Sequence, residues 1–242
     1  DTVWFEDNFA TADGKPAEYP GFKDFHAVEP LPNAKGTGGG YNYFAYAYGQ
    51  KFDGYVMLGA KKGQGLIAKF AKVESAKTWR LADVPAGKIL RFEMKGVVAG
   101  KPKRDEVNEG FGLSDSGATV QHLKDVNNII WTFYRPKQEV GGIRPYVQWA
   151  GNRVSAPTAD ISVNISTDST KPDNFTIEYD PANDAITFLH NGESAYVFSD
   201  PKGMAALAEA PLAIVFYNTL DNVETIEMGG WSLRLIDSGA KR

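Results

Sequence analysis

Apolar and polar positions alternate with a period of two along much of this chain, and the clearest run is Lys88–Lys95. Leu90, Phe92 and Met94 fall on one side of it, and Arg91, Glu93 and Lys95 on the other. The pattern predicts a strand whose apolar row enters a core between two sheets. Its opposite row sets two cations around a carboxylate, neighbours being about 7 Å apart. Similar runs predict strands at Trp4–Phe9, Tyr41–Tyr48, Phe52–Ala60, Gly65–Lys72, Gly110–Ser114, Ile129–Arg135, Ile143–Trp149 and Thr158–Ile165. Further on, Phe175–Tyr179, Ala185–Leu189 and Ser194–Phe198 are separated by the turn signals Pro181-Ala182-Asn183-Asp184 and Asn191-Gly192. Leu212–Asn218 and Trp231–Ile236 close the series. Only Glu74–Leu81 and Gly203–Glu209 are expected to form short helices or turns. About a dozen strands with so little helix predict an all-β fold: a single antiparallel β-sandwich over residues 1–242, of the concanavalin-like jelly-roll type. In such a fold one sheet can curve and leave a polar groove.

Composition supports this. The chain has 14 Phe, 11 Tyr and 5 Trp beside 25 Gly and 13 Pro, which favours strands joined by many turns. The net charge of −4 supplies no global positive field for nucleic acid or a membrane surface, so an anionic ligand must be held by a local patch. The absence of cysteine excludes disulfides, thiolate metal sites and cysteine nucleophiles. No apolar run approaches the ~20 residues that span a bilayer. The chain opens at Asp1 without a Met, and the expectation is a secreted or periplasmic monomer.

The densest candidate chemistry lies on Ile143–Trp149. There Arg144, Tyr146 and Gln148 share one face, and Ile143, Pro145, Val147 and Trp149 the other. Removing the proton next to a uronic acid carboxylate requires that carboxylate to be neutralised, a base, and an acid at the leaving oxygen. An arginine, a tyrosine and an orienting amide meet those needs without a carboxylate pair. Trp131 and Phe133 share a side with Arg135, which favours Tyr134, beside Thr132, as the groove-lining member of its strand. Hydrolysis instead calls for two carboxyls ~5–10 Å apart; Glu93 has no partner on its own strand, and Glu178 and Glu227 lie on others. Tyr41–Tyr48 and Trp149 offer stacking surfaces for sugar rings. Gly36–Gly40 lacks the Lys-Ser/Thr ending of a phosphate loop. His26, His122 and His190 show no metal-ligand spacing, and His190 reads as a turn residue. Asp180–Asp184 offers oxygens to a structural calcium; no cofactor is required.

Arg91-Phe92-Glu93-Met94-Lys95 resembles the Arg-x-Glu-x-Arg strand of the alginate-lyase-like jelly rolls, with Lys95 in place of the last Arg. The Tyr217-Asn218 pair in Ala213–Thr219 resembles part of that family's late strand, and it too follows an Asn-Gly hairpin. The family's Gln-x-His strand has no counterpart here. The resemblance implies a jelly roll acting on acidic polysaccharide, with Arg91 binding the carboxylate and Tyr217 as a candidate catalytic tyrosine. The function expected is a secreted polysaccharide lyase acting by β-elimination. In it Arg91, Arg144 and Gln148 hold the carboxylate, Tyr146 or Tyr217 moves the proton, and Glu93, Lys95, Tyr134, Asn218 and Trp149 line the groove. The alternatives are a non-catalytic carbohydrate-binding module and a hydrolase using Glu93.

Overall fold

The computed structural model describes residues 1–8, 17–18, 28–31, 35–36, 41–45, 55–61, 64–69, 71–99, 109–115, 126–135, 142–150, 152–154, 161–163, 165–168, 170–218 and 226–239. Side chains are described for these except 17–71, 109, 134–135, 152–154, 162 and 217–218.

Among the described residues the strands form two antiparallel sheets. The first has nine strands, ordered Asn152–Val154, Gly142–Trp149, Ile129–Arg135, Glu109–Asp115, Leu212–Asn218, Ala71–Ser75, Tyr41–Ala45 and Val28–Leu31, with Ile161–Ser162 also pairing on Gly142–Trp149. The second has eleven, ordered Glu193–Phe198, Ala185–His190, Asp173–Asp180, Lys88–Ala99, Ile226–Met228, Gln64–Lys69, Tyr55–Lys61 and Ala17–Glu18. Gly230–Asp237 pairs with both Lys88–Ala99 and Thr2–Asp7, and Lys35–Gly36 joins through Thr2–Asp7.

The alternation seen in the sequence builds the core. Leu90, Phe92 and Met94 meet Ile130, Ile143, Val147, Ile214 and Phe216 from the facing sheet in one buried cluster. Phe5 lies edge-on to Trp79 and Trp231, with ring centroids 5.7 and 6.3 Å away. The Asn191-Gly192 turn takes φ of 50° and 85°, the left-handed pair that a tight hairpin needs.

The helix Pro201–Glu209 is longer than the turn expected at Gly203–Glu209. Asp200 caps it by accepting a hydrogen bond from the Gly203 amide at 2.9 Å, and Pro201 starts it with φ already set. Gly203 is buried against the Trp149 indole, where an added Cβ would sit 2.8 Å from ring carbons. The helix expected at Glu74–Leu81 is replaced by the strand Ala71–Ser75, a bridge between Trp79 and Leu212, and one 3₁₀ turn at Leu81–Asp83. The period-two order of Lys72, Val73, Glu74 and Ser75, with Val73 in the core, prevails over helical preference. Of Thr158–Ile165, Ile161–Ser162 is a strand, and 158–160 lie outside the described residues.

Candidate functional site

On the nine-stranded sheet, strand register stacks the residues facing away from the main core into rows. One row is Arg144, Phe133, Gly110 and Lys72, with position 217 in register between the last two; the next is Tyr146, Trp131, Gly112, Val215 and Glu74; the third is Gln148, Ile129, Ser114 and Ala213. Trp131, Phe133, Tyr146, Val215, Ala213 and Ile129 pack with Val126 into a second apolar cluster, separate from the core between the sheets. Polar groups rise through it. The Phe133 ring meets Tyr146 edge-on at 5.6 Å and Trp131 at 5.8 Å.

Hydrogen bonding fixes the state of Tyr146. The Gln148 amide nitrogen donates to the Val126 carbonyl, and a carbonyl can only accept. The amide oxygen of Gln148 therefore faces Tyr146, whose hydroxyl donates to it at 3.0 Å. Tyr146 is thereby held as a hydrogen-bond donor, its hydroxyl oriented by Gln148. The segment bearing Val126 is itself tied down. Asp115 accepts from the Asn127 and Asn128 amides at 2.9 and 2.8 Å and from the Asn128 side chain at 2.9 Å. The Asn128 side-chain oxygen in turn accepts from the Ala150 amide at 3.2 Å. A continuous chain of bonds thus runs from Asp115 to the phenol.

Four strand spacings from Arg144, or ~19 Å at 4.8 Å per strand, lies a pair that sequence reasoning passed over. Lys72 Nζ meets Glu74 Oε2 at 3.0 Å, and both side chains have 0% exposure. Burial pushes the Lys72 ammonium below its ordinary pKa, outweighing the pull of Glu74 and, more weakly, Asp115. Two charges at i and i+2 around a core Val73 were the available signal.

The expected residues divide between two sheets. Arg144, Tyr146 and Gln148 do share a face, as the alternation predicts. Arg91, Glu93 and Lys95 do not join them: their strand belongs to the eleven-stranded sheet, and its apolar row fills the core that separates the two groups. Arg91 is bound to the buried Glu178, with its Nε at 2.9 Å and Nη2 at 2.6 Å from Oε1, and Lys95 Nζ lies 3.8 Å from Glu93. The shared site expected for Arg91 and Tyr146 is therefore corrected. Trp149 is corrected as well, since it packs on the core side against Phe198, at 5.7 Å between centroids, and under Gly203. Position 134 pairs in register with Ile143, and Thr132 is buried opposite Pro145. Positions 217 and 218 lie in strand, 217 opposite Lys72 and 218 opposite Ala71; the side chains of Tyr134, Tyr217 and Asn218 lie outside the described residues. So do those of Tyr41–Ala45, and all of residues 46–48, His26, His122 and 37–40. His190 is not in the turn but ends the strand Ala185–His190 just before it, and it is bonded to Asp173. The Asp180 carboxylate is taken up by its own turn, accepting from the Ala182 amide at 2.9 Å and the Asn183 side chain at 2.6 Å. No group of three or more His, Cys, Asp or Glu among the described residues is arranged to hold a metal ion.

No protein-family model matches the chain, and no curated protein matches it in sequence. Solved structures do match in shape. One, from work on endo-acting O-glycanases expressed by human gut microbiota to initiate mucin breakdown, is 13% identical with a TM-score of 0.52, covering 97% of this chain and 100% of that one. The carbohydrate recognition domain of Emp46p in its potassium-bound form is 13% identical at a TM-score of 0.51, covering 74% of this chain and 84% of that one. An alginate lyase from Pseudomonas aeruginosa is 11% identical over 72% of this chain and 83% of that one, at a TM-score of 0.43 that carries no weight. At such identities the likeness defines the fold, a jelly-roll β-sandwich whose neighbours include carbohydrate-binding and carbohydrate-active proteins.

Proposed function

We propose that this sandwich binds a polysaccharide over the outer face of its nine-stranded sheet and, as a secreted lyase, cleaves a uronic-acid-containing chain by β-elimination. The observation that carries the reading is the register stack: Arg144, Tyr146 and Gln148 on one face, with Lys72 and Glu74 in the same rows. Arg144 neutralises the uronate carboxylate, so that charge developing there on proton removal is stabilised. Tyr146 moves the proton, with Tyr217 the alternative. In its ionised form it takes the proton from the carbon next to the carboxylate, the electron pair forms the carbon–carbon double bond, the glycosidic C–O bond breaks, and the leaving oxygen receives that proton back from the phenol. The step as written requires no cofactor.

A second reading, a non-catalytic carbohydrate-binding module, is favoured by the burial of Tyr146, Gln148, Lys72 and Glu74, which are enclosed as structural groups are. Product chemistry separates the two. Incubated with alginate, glucuronan, pectate and ulvan, a lyase generates an unsaturated uronate with ultraviolet absorbance. A hydrolase yields reducing ends without it, and a binding module yields neither.

A further inference from the structure

An open pocket of about 560 Å³ lies at the end of the hairpin strands of the eleven-stranded sheet, away from the Tyr146 face. Asp168, Lys171, Asp173, His190, Asn191 and Glu193 are among the residues that line it. Its volume falls in the range of small-ligand sites. At its floor His190 Nε2 meets Asp173 Oδ1 at 2.9 Å, with the two side chains 11% and 4% exposed. The Asp173 carboxylate is anchored by the Ser166 amide at 2.6 Å and the Asn191 side chain at 3.0 Å. Asn191 is itself oriented, because its side-chain oxygen accepts from the Asn174 amide at 2.7 Å.

These bonds decide the histidine tautomer. Asp173 can only accept, so the proton of a neutral ring sits on Nε2 and the lone pair on Nδ1; the Asn191 side-chain nitrogen, 3.3 Å from Nε2, donates to the same Asp173 oxygen, which is the shorter contact for both. No described residue bonds Nδ1, and the ring is held in place against Phe175, with centroids 5.0 Å apart. A fixed ring nitrogen is thus left with an acceptor site beside an open, polar space. Around it, three carboxylates (Asp168, Asp173 and Glu193) against the one Lys171 ammonium disfavour an anion.

We propose that this pocket is a binding site for an uncharged polyhydroxylated ligand, a neutral saccharide, whose hydroxyl donates to His190 Nδ1. The Glu193 carboxylate accepts a further hydroxyl, as does Asp168 through Oδ2, its Oδ1 already accepting from the Thr170 amide and hydroxyl at 2.8 Å, and the Lys171 ammonium donates to a ring or hydroxyl oxygen. The site is independent of the elimination chemistry proposed above, and it excludes the uronates which that chemistry would use.

The test is nitrogen-detected NMR of the His190 ring in the full chain, titrated with glucose, galactose, N-acetylglucosamine, maltose and, as the anionic control, glucuronate. The expected result is a saturable shift at Nδ1 with at least one neutral sugar and none with glucuronate. Calorimetry should show at least tenfold weaker binding of that sugar to His190→Phe, which keeps a ring against Phe175. Lys171→Met, at the exposed rim, should weaken it several-fold without touching the fold, and Tyr146→Phe should leave it unchanged. The proposal is overturned if no neutral sugar in the set shifts Nδ1, if glucuronate binds equally well, or if both His190→Phe and Lys171→Met bind as the parent does.

Discussion

Removing one member of the Lys72–Glu74 pair should be among the most damaging single changes available in the nine-stranded sheet. At 3.0 Å and an effective dielectric of about 20, the attraction is about 5–6 kcal/mol. It opposes a desolvation cost of several kcal/mol for each ion. The intact pair therefore nets little, but Lys72→Met strands a carboxylate in a place with no exposure to water. We expect a loss of about 3–5 kcal/mol for Lys72→Met and a similar loss for Glu74→Leu. The double variant should lie within about 1–2 kcal/mol of the parent or above it, since neither charge then remains. The assay is urea unfolding of all four proteins at neutral pH, read as a double-mutant cycle. The pair has a pH signature too. Because burial holds Lys72 below its unfolded pKa of 10.5, the unfolded chain binds more protons between the two values, and stability from this group rises with pH across that window. A cost under about 1 kcal/mol for Lys72→Met, or losses that simply add in the double variant, would refute the reasoning.

Two other changes test separate parts of the fold. Burial by itself would raise the Asp173 pKa, but hydrogen bonds from His190, the Ser166 amide and Asn191 hold it below the usual 3.8. Its contribution is thus complete above the unfolded value and lost as pH falls through the folded one. Asp173→Asn should cost about 1.5–3 kcal/mol at neutral pH and flatten the acid limb of stability, as measured by urea unfolding from pH 7 to 2; an unchanged acid limb would count against the assignment. Gly112→Ala should cost at least about 2–3 kcal/mol in the same assay, because φ is +153° and the new Cβ would press on the Ile130 carbonyl and on Trp131 Cα, 2.8 Å away. A urea midpoint matching the parent would show that the two strands can part there.

Most of the fold was legible because the residues that build it follow local rules. Leu90, Phe92 and Met94 alternate with charged neighbours, and Asn191-Gly192 has only one favourable hairpin geometry. The face shared by Arg144, Tyr146 and Gln148 could be read for the same reason. Alternation does not, however, say which sheet a strand joins or which side of that sheet is covered. The strands of Arg91 and Tyr146 show the same period-two alternation in sequence, yet the core lies between their polar rows. Trp131 and Phe133 look like core residues, and they are buried, but in a second cluster beside Tyr146 rather than opposite it. Lys72 and Glu74 went unnoticed because Lys72 closed the expected strand Gly65–Lys72 while Glu74 opened the helix or turn expected at Glu74–Leu81, so the two were never placed on one strand. Only pairing with Leu212–Asn218 and Tyr41–Ala45 makes theirs a central strand. His190, read as a turn residue, is instead the last residue of the strand Ala185–His190, next to the turn; its bond to Asp173 depends on a contact that no spacing reveals.

The most direct measurement is ultraviolet absorbance of the unsaturated product when parent and Tyr146→Phe proteins act on uronic-acid polymers, with binding followed in parallel by calorimetry. The expected outcome is product from the parent, at least a hundredfold less from Tyr146→Phe, and binding changed by no more than a few-fold. Equal turnover by the two proteins, or a parent that binds the polymer and never forms the double bond, would contradict the role given to this face.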